Sequence, residues 1–167
     1  MPYDEIPLEY GAHDLRFDIG IFGNGQQLGT SATRGFRFTL PERVEFSRIW
    51  ADHGQYEHGR AGMQINVGFT VRSMKDKHGS VCVYFYDAKG KNLKDRNRQY
   101  STSDGKVATH GRFTPDSKIA EYSDFSVFMP YEELHLTGAH NLQYSVSVLD
   151  ENNREIRNSG MQKFNIR

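Results

Sequence analysis

The sequence predicts an all-β protein, a two-sheet antiparallel β-sandwich with an extended N-terminal arm. Three observations support this. Val81 to Tyr86 is an unbroken run of β-branched, aromatic and thiol residues, too short for a typical helix and suited to a strand buried on both faces. Met63 to Val71 and Leu142 to Val148 alternate apolar and polar residues, the signature of half-buried strands. No segment reads as a helix of ten or more residues, and turn signals separate eight or more short strands.

In chain order, residues 1–14 are polar and carry Pro2, Pro7 and Gly11, which suits an extended arm. The expected organisation is this arm followed by a single sandwich domain over residues 15–167, within the usual size of one domain. Leu15, Phe17, Ile19 and Ile21 alternate with polar residues or glycine. Asn24-Gly25 then offers the pair favoured where a tight hairpin needs two positive φ angles. Phe36, Phe38 and Leu40 begin another strand that Pro41 stops, and Val44 and Phe46 begin a further one. Trp50 to Gly62 reads as a loop by its glycines, although it holds the only tryptophan and two histidines.

The strand Met63–Val71 is expected to pair antiparallel with Val81–Tyr86 across a charged turn at Lys75–Gly79. Asp87-Ala-Lys-Gly is a turn leading into the basic stretch Lys91–Arg98, and Asp104-Gly105 marks a hairpin between Tyr100 and Val107. Residues 111–124 read as loop. Phe125, Val127 and Met129 form a strand ended by Pro130, and Pro130–Leu134 suits one helical turn with acids near its start. After Leu142–Val148 comes a turn at Asp150–Asn153, and Ile156, Phe164 and Ile166 close the chain. Tyr86–Lys94 and Leu149–Arg157 share a plan: apolar residue, Asp, turn, basic residue, aliphatic. This reads as one hairpin solution used twice.

The segment Leu134-His-Leu-Thr-Gly-Ala-His-Asn-Leu-Gln-Tyr-Ser-Val-Ser-Val-Leu-Asp150 resembles the last hairpin of immunoglobulin-like and C2-like sandwiches. The resemblance covers 17 of the 167 residues. His140 stands where such modules often carry Tyr, and the Cys…Trp…Cys pattern of antibody domains is absent. Asp87, Asp95, Asp104 and Asp150 are isolated, unlike the clustered aspartates of a C2 calcium site. The resemblance implies a fold and brings no site with it.

Composition bounds the function. Twenty-one basic residues balance 21 acidic ones, so no global field draws the chain to nucleic acid or an anionic membrane. The single cysteine, Cys82, rules out an intrachain disulfide and fits a reducing compartment. It lies within the core run, where a free thiol acts as a small packing residue rather than a nucleophile. No signal-peptide pattern and no apolar stretch of membrane-spanning length occurs, so the expectation is a soluble cytoplasmic protein. Gly23, Gly25 and Gly29 have the wrong spacing for a dinucleotide loop, and neither a nucleophile elbow nor a zincin motif occurs. Glu132 and Glu133 are adjacent and point apart on a helical turn, which fits helix-start electrostatics.

Charge is nevertheless segregated. Arg72–Arg98 carries eight basic residues against three acids, and Asp116–Glu151 carries seven acids against one lysine. A positive and a negative patch on one domain suit packing against another copy or a partner. The sequence therefore points to a non-catalytic interaction or assembly module with no cofactor or metal, binding a protein partner or itself. Candidate contact residues are Tyr3, Ile6, Leu8 and Tyr10 of the arm; Trp50, His53, Tyr56 and His58; and Lys89, Lys91, Lys94, Arg96 and Arg98 of the basic turn. One alternative is a metal-dependent hydrolase in which Asp52, His53, Glu57 and His58 supply zinc-type ligands. The other is single-stranded nucleic-acid binding through the basic turn 89–98 with Tyr100 stacking on a base. It is disfavoured because no RNA-binding motif accompanies it.

Overall fold

The computed structural model describes residues 11–40 and 42–166. Eleven strands and one 3-10 turn make it all-β: β1 Gly11–Phe17, β2 Gly20–Gly23, β3 Gln26–Thr30, β4 Arg34–Leu40, β5 Arg43–Glu57, β6 Arg60–Arg72, β7 Gly79–Asp87, β8 Ala108–Phe113, β9 Ile119–Pro130, β10 His140–Leu149 and β11 Glu155–Ile166, with the 3-10 turn at Tyr131–Leu134. The chain divides into two compact units between residues 42 and 43. The residues expected to form one strand fall in the first unit, Leu15 and Phe17 in β1 and Ile21 in β2, with Ile19 between the two.

In that first unit, β1 pairs with β4 and β2 with β3, both antiparallel, around the Asn24-Gly25 turn expected from the sequence. Both turn residues have positive φ, 50° and 76°. Between the two pairings the ribbon is continued by the Ser31 amide, which donates to the Ile19 carbonyl at 2.8 Å. The pleat sorts the side chains. Leu15, Phe17, Phe36 and Phe38 share one face, with the Phe17 and Phe36 rings 6.1 Å apart; Asp14, Arg16 and Arg37 share the other, Asp14 opposite Arg37.

The second unit contains a three-stranded sheet, β5-β6-β9, and a four-stranded sheet, β11-β10-β7-β8. The expected pairing of Met63–Val71 with Val81–Tyr86 does not occur: β6 lies between β5 and β9, and β7 between β10 and β8. The charged connection at 75–78 carries the chain from one sheet to the other. Met63, Ile65, Val67, Phe69 and Val71 of β6 are buried, as are Val81, Val83 and Phe85 of β7 and Leu142, Tyr144, Val146 and Val148 of β10. Aromatic rings pack across and within the layers. Phe69 of β6 meets Phe113 of β8 across the sheets at 5.2 Å and Tyr122 of its own sheet at 4.8 Å, and Phe164 meets Phe85 and Tyr144 within the second sheet at 6.1 and 5.8 Å. Gly68 sits where β5 and β9 both break register beside it, and a Cβ there would lie 3.2 Å from the Ser123 carbonyl oxygen and force Ser47 Oγ, at 2.5 Å, to turn away.

Several expectations are corrected. Val81–Tyr86 is fully buried on one face only; Cys82, Tyr84 and Tyr86 occupy the other face and are half-buried. Trp50–Glu57 is the second half of a long strand, and His58-Gly59 is its hairpin turn, with φ of 50° and 78°. The polar composition of 52–57 reflects an edge strand whose residues are exposed. Residues 111–113 and 119–124 are strand rather than loop.

The repeated turn holds in atomic detail. Asp87 Oδ1 accepts the amides of Lys89 and Lys91 at 2.8 and 2.9 Å, and Asp150 Oδ1 accepts those of Asn152 and Arg154 at 2.9 and 2.8 Å. Gly90 and Asn153 fill the left-handed position, with φ of 81° and 60°. The 3-10 turn at Tyr131–Leu134 falls where Pro130–Leu134 places it. Among the described residues no helix is long and apolar enough to cross a membrane.

Candidate functional site

Three places concentrate chemistry: a buried ionic cluster, a polar groove beside it, and the apolar face of the ribbon. The cluster forms where the excursion between β7 and β8 folds back on the sandwich. Leu93 and Val107 are drawn in by backbone bonds, Leu93 amide to Phe85 carbonyl and Val107 amide to Leu93 carbonyl, both 2.9 Å. This brings Asp95 and Asn97 against the 3-10 turn. Glu133, 2% exposed, accepts Arg60 Nη2 at one oxygen and Asn97 Nδ2 at the other, the latter at 2.8 Å. Arg60 Nε also donates to Glu132, so one guanidinium bridges both acids. The two glutamates thus converge on one cation, and a backbone charge effect at the turn does not account for Glu133. Glu133 foremost, then Glu132, raises the Arg60 pKa against the opposing effect of burial.

His135, in the left-handed conformation at φ 55°, closes the cluster. Its Nε2 lies 3.1 Å from Asp95 Oδ1 and 3.1 Å from the Arg96 amide nitrogen. The Arg96 N–H donates to that nitrogen, which ties the ring to the backbone that also carries Asp95. Burial disfavours the Asp95 charge, but the His135 hydrogen bond and the Arg98 amide outweigh it and hold the carboxyl below its usual range. Ligand-type atoms of Asp95, Glu133 and His135 lie within 4.8 Å of one another. Arg60 and Asn97 donate to the two Glu133 oxygens and the Arg98 amide to Asp95 Oδ2, which binds the group into one hydrogen-bonded lock.

The residues singled out from the sequence are scattered. Tyr3, Ile6, Leu8 and Tyr10 lie outside the described residues. His53 is tied down: Tyr131 Oη is 3.0 Å from its Nδ1, and its ring stacks on Phe164 at 6.1 Å. His58 sits in the hairpin turn with an exposed side chain, and the Asp52 carboxylate accepts Asn66 Nδ2 at 2.8 Å. The metal-ligand set proposed around His53 and His58 does not assemble; the one such group among the described residues contains neither. Trp50 lies opposite Asn66 with the Arg48 guanidinium 4.5 Å above its ring, and Tyr56 is exposed. Lys89, Lys91, Lys94, Arg96 and Arg98 are all exposed, while the backbone amides of Arg96 and Arg98 support His135 and Asp95.

Cys82 is not part of the core. It faces away from Val81, Val83 and Phe85, half-buried, with Sγ 3.8 Å from Ser80 Oγ. Burial pushes its pKa up, and that of Tyr84 up to about 12, so the thiol stays protonated at neutral pH and is a poor nucleophile.

Next to the ionic cluster lies a groove of about 540 Å³. The outer faces of β6 and β9 contribute Gln64, Ser126 and Phe128, β8 contributes Thr109 and His110, and the 99–101 segment forms a wall. Thr109 Oγ1 donates to the Phe128 carbonyl at 2.9 Å, fixing the edge of one sheet to the edge of the other beneath the groove. Arg60 lies 5.4 Å over the Tyr100 ring, so the cluster also steadies the wall.

The ribbon presents the third feature. Phe17, Ile19, Ile21, Phe22, Leu28 and Phe36 are exposed, six of the nine large exposed apolar residues described. Leu28 is the most exposed of these six, at 70%. No protein-family model matches the chain, and no curated protein or solved structure matches it.

Proposed function

We propose that this chain is a non-catalytic assembly module whose ribbon, residues 11–40, pairs with the ribbon of a second copy. The observation that carries the reading is the concentration of exposed apolar side chains on the ribbon. A two-stranded ribbon is marginal in water by itself, and a concentration of exposed apolar side chains marks an interaction surface. Charge favours a like partner. Asp14 and Asp18 stand beside Arg16, Arg34 and Arg37, so the ribbon lacks the one-signed field that would select an anionic polymer or membrane. Two such ribbons related by a two-fold axis bury apolar face against apolar face and set carboxylates near guanidiniums.

Light scattering on the full chain, compared with the double variant Ile21→Asp/Leu28→Asp, tests the reading. A wild-type dimer or larger species, with a monomeric variant that unfolds at the same denaturant midpoint, is expected. A wild-type chain that stays monomeric at high micromolar concentration overturns it.

A further inference from the structure

The polar groove is explained by neither the fold nor the ribbon. Its lining is unusual for a small-molecule site, since ligand clefts are mostly apolar with a few polar groups. Here Gln64, Gln99, Ser101, Thr109, His110 and Ser126 supply amide, hydroxyl and imidazole groups, Glu57 adds a carboxylate, and Tyr100 and Phe128 add rings. No lysine or arginine is among the described residues lining it. Arg60, behind the Tyr100 wall, is already paired with Glu132 and Glu133, and a phosphate or sulfate would meet the Glu57 carboxylate, so an anionic ligand, nucleic acid included, is disfavoured.

What remains is a neutral ligand rich in hydroxyls. An amide offers both donor and acceptor to neighbouring hydroxyls, and a carboxylate can accept from two at once. An aromatic ring can take the C–H face of a pyranose, which is apolar although the molecule is not. The wall that carries Gln99, Tyr100 and Ser101 is preorganised. The Asp95 amide donates to the Gly105 carbonyl at 3.0 Å, Asn97 is held by Glu133, and Arg60 backs Tyr100. A fixed wall reduces the ordering cost of binding. The volume falls within the range of small-molecule clefts.

We infer that this groove binds a neutral carbohydrate, with Gln64, Gln99 and Glu57 bonding its hydroxyls and Tyr100 packing on a sugar face. The inference is independent of ribbon pairing, because the groove is formed within residues 43–166.

The test is titration of the full-length, isotopically labelled protein with tetrasaccharides built from glucose, galactose, mannose or N-acetylglucosamine, followed by NMR. The expected result is that at least one of them shifts the amide resonances of Gln64, Gln99–Ser101 and Thr109. Gln64→Ala and the exposed-site variant Gln99→Ala should each weaken that sugar about three- to tenfold, the loss of one or two neutral hydrogen bonds. Tyr100→Ala should weaken it about tenfold or more. The two glutamine variants keep the test meaningful if Tyr100→Ala does not fold. Three outcomes overturn the proposal: no shifts with any of the four at millimolar concentration, shifts confined to another surface, or groove shifts produced only by an oligonucleotide in a salt-dependent manner.

Discussion

The sandwich and the ribbon use the same alternation of apolar and polar residues to opposite ends. In β6 the alternation is answered by a second sheet, and Met63, Ile65, Val67 and Phe69 are buried. In β1 to β4 the ribbon has no second layer of its own, and Phe17, Ile21, Phe22 and Leu28 stay exposed. A period-2 pattern therefore shows that a strand has an apolar face. It does not show whether the cover for that face lies in the same chain.

The comparison is broken or upheld most directly by truncating one phenylalanine in each region. Phe69 touches Phe113, Tyr122 and Phe125, so Phe69→Ala should cost about 3–5 kcal/mol in denaturant unfolding. Phe22 is 67% exposed, and Phe22→Ala should fall within about 0.5 kcal/mol of wild type for a dilute monomeric sample. A large effect of the second variant on sandwich unfolding would mean that the ribbon contributes to the sandwich core.

A smaller loss is expected from the ionic lock, which only the sandwich possesses. Arg60→Ala leaves the buried Glu133 with Asn97 alone, whereas Glu132→Gln removes an exposed partner and keeps the buried one. Thermal unfolding should show a clear drop for the first variant and little change for the second. Equal effects would mean that the bond from Arg60 to Glu133 contributes no more to stability than its exposed bond to Glu132.

This lock also marks where sequence reading stops. The fold class, the Asn24-Gly25 hairpin, the 3-10 turn after Pro130 and the paired Asp87 and Asp150 turns were legible, because each rests on residues within a few positions of one another. Glu133 meets Asn97 and Arg60 across 36 and 73 residues, and no local spacing announces such a meeting. The sheet partners of β6 and β7 were misread for the same reason: a short charged link fits a hairpin as well as a crossing between layers. His53 looked like a ligand because histidine in a polar stretch has few local explanations. Its partners, Tyr131 and Phe164, are distant in sequence.

A further, milder effect belongs to acid. Asp95 and Asp150 are both held below the usual carboxylate range although burial opposes their charge, Asp95 by His135 and the Arg98 amide, Asp150 by Arg154. A carboxylate with a depressed pKa in the folded state stabilises at pH values above its unfolded pKa, near 4, and that stability is lost as the pH falls through the folded value. Sandwich stability should accordingly be flat from about pH 7 to pH 5 and decline below about pH 4. Asp150→Asn should lower the plateau and flatten the decline, as read by urea unfolding at a series of pH values.

The smallest effect sharpens the comparison furthest. Gly25 in the ribbon and Gly90 in the sandwich have nearly equal φ, 76° and 81°, and a Cβ on either would meet open space. Alanine should therefore cost the same at both sites, about 1–2 kcal/mol for a left-handed L-residue, with no steric term to separate them. The consequences differ because the stability of each turn is expressed through the unit that contains it. Gly90→Ala should lower the unfolding midpoint of the sandwich, since Asp87, Lys91 and the strand β7 are fixed through that turn. Gly25→Ala should leave that midpoint unchanged and instead speed hydrogen exchange at the Ile21 and Gly29 amides, which face each other across the ribbon. If both alanines shift the same midpoint equally, the two units unfold as one.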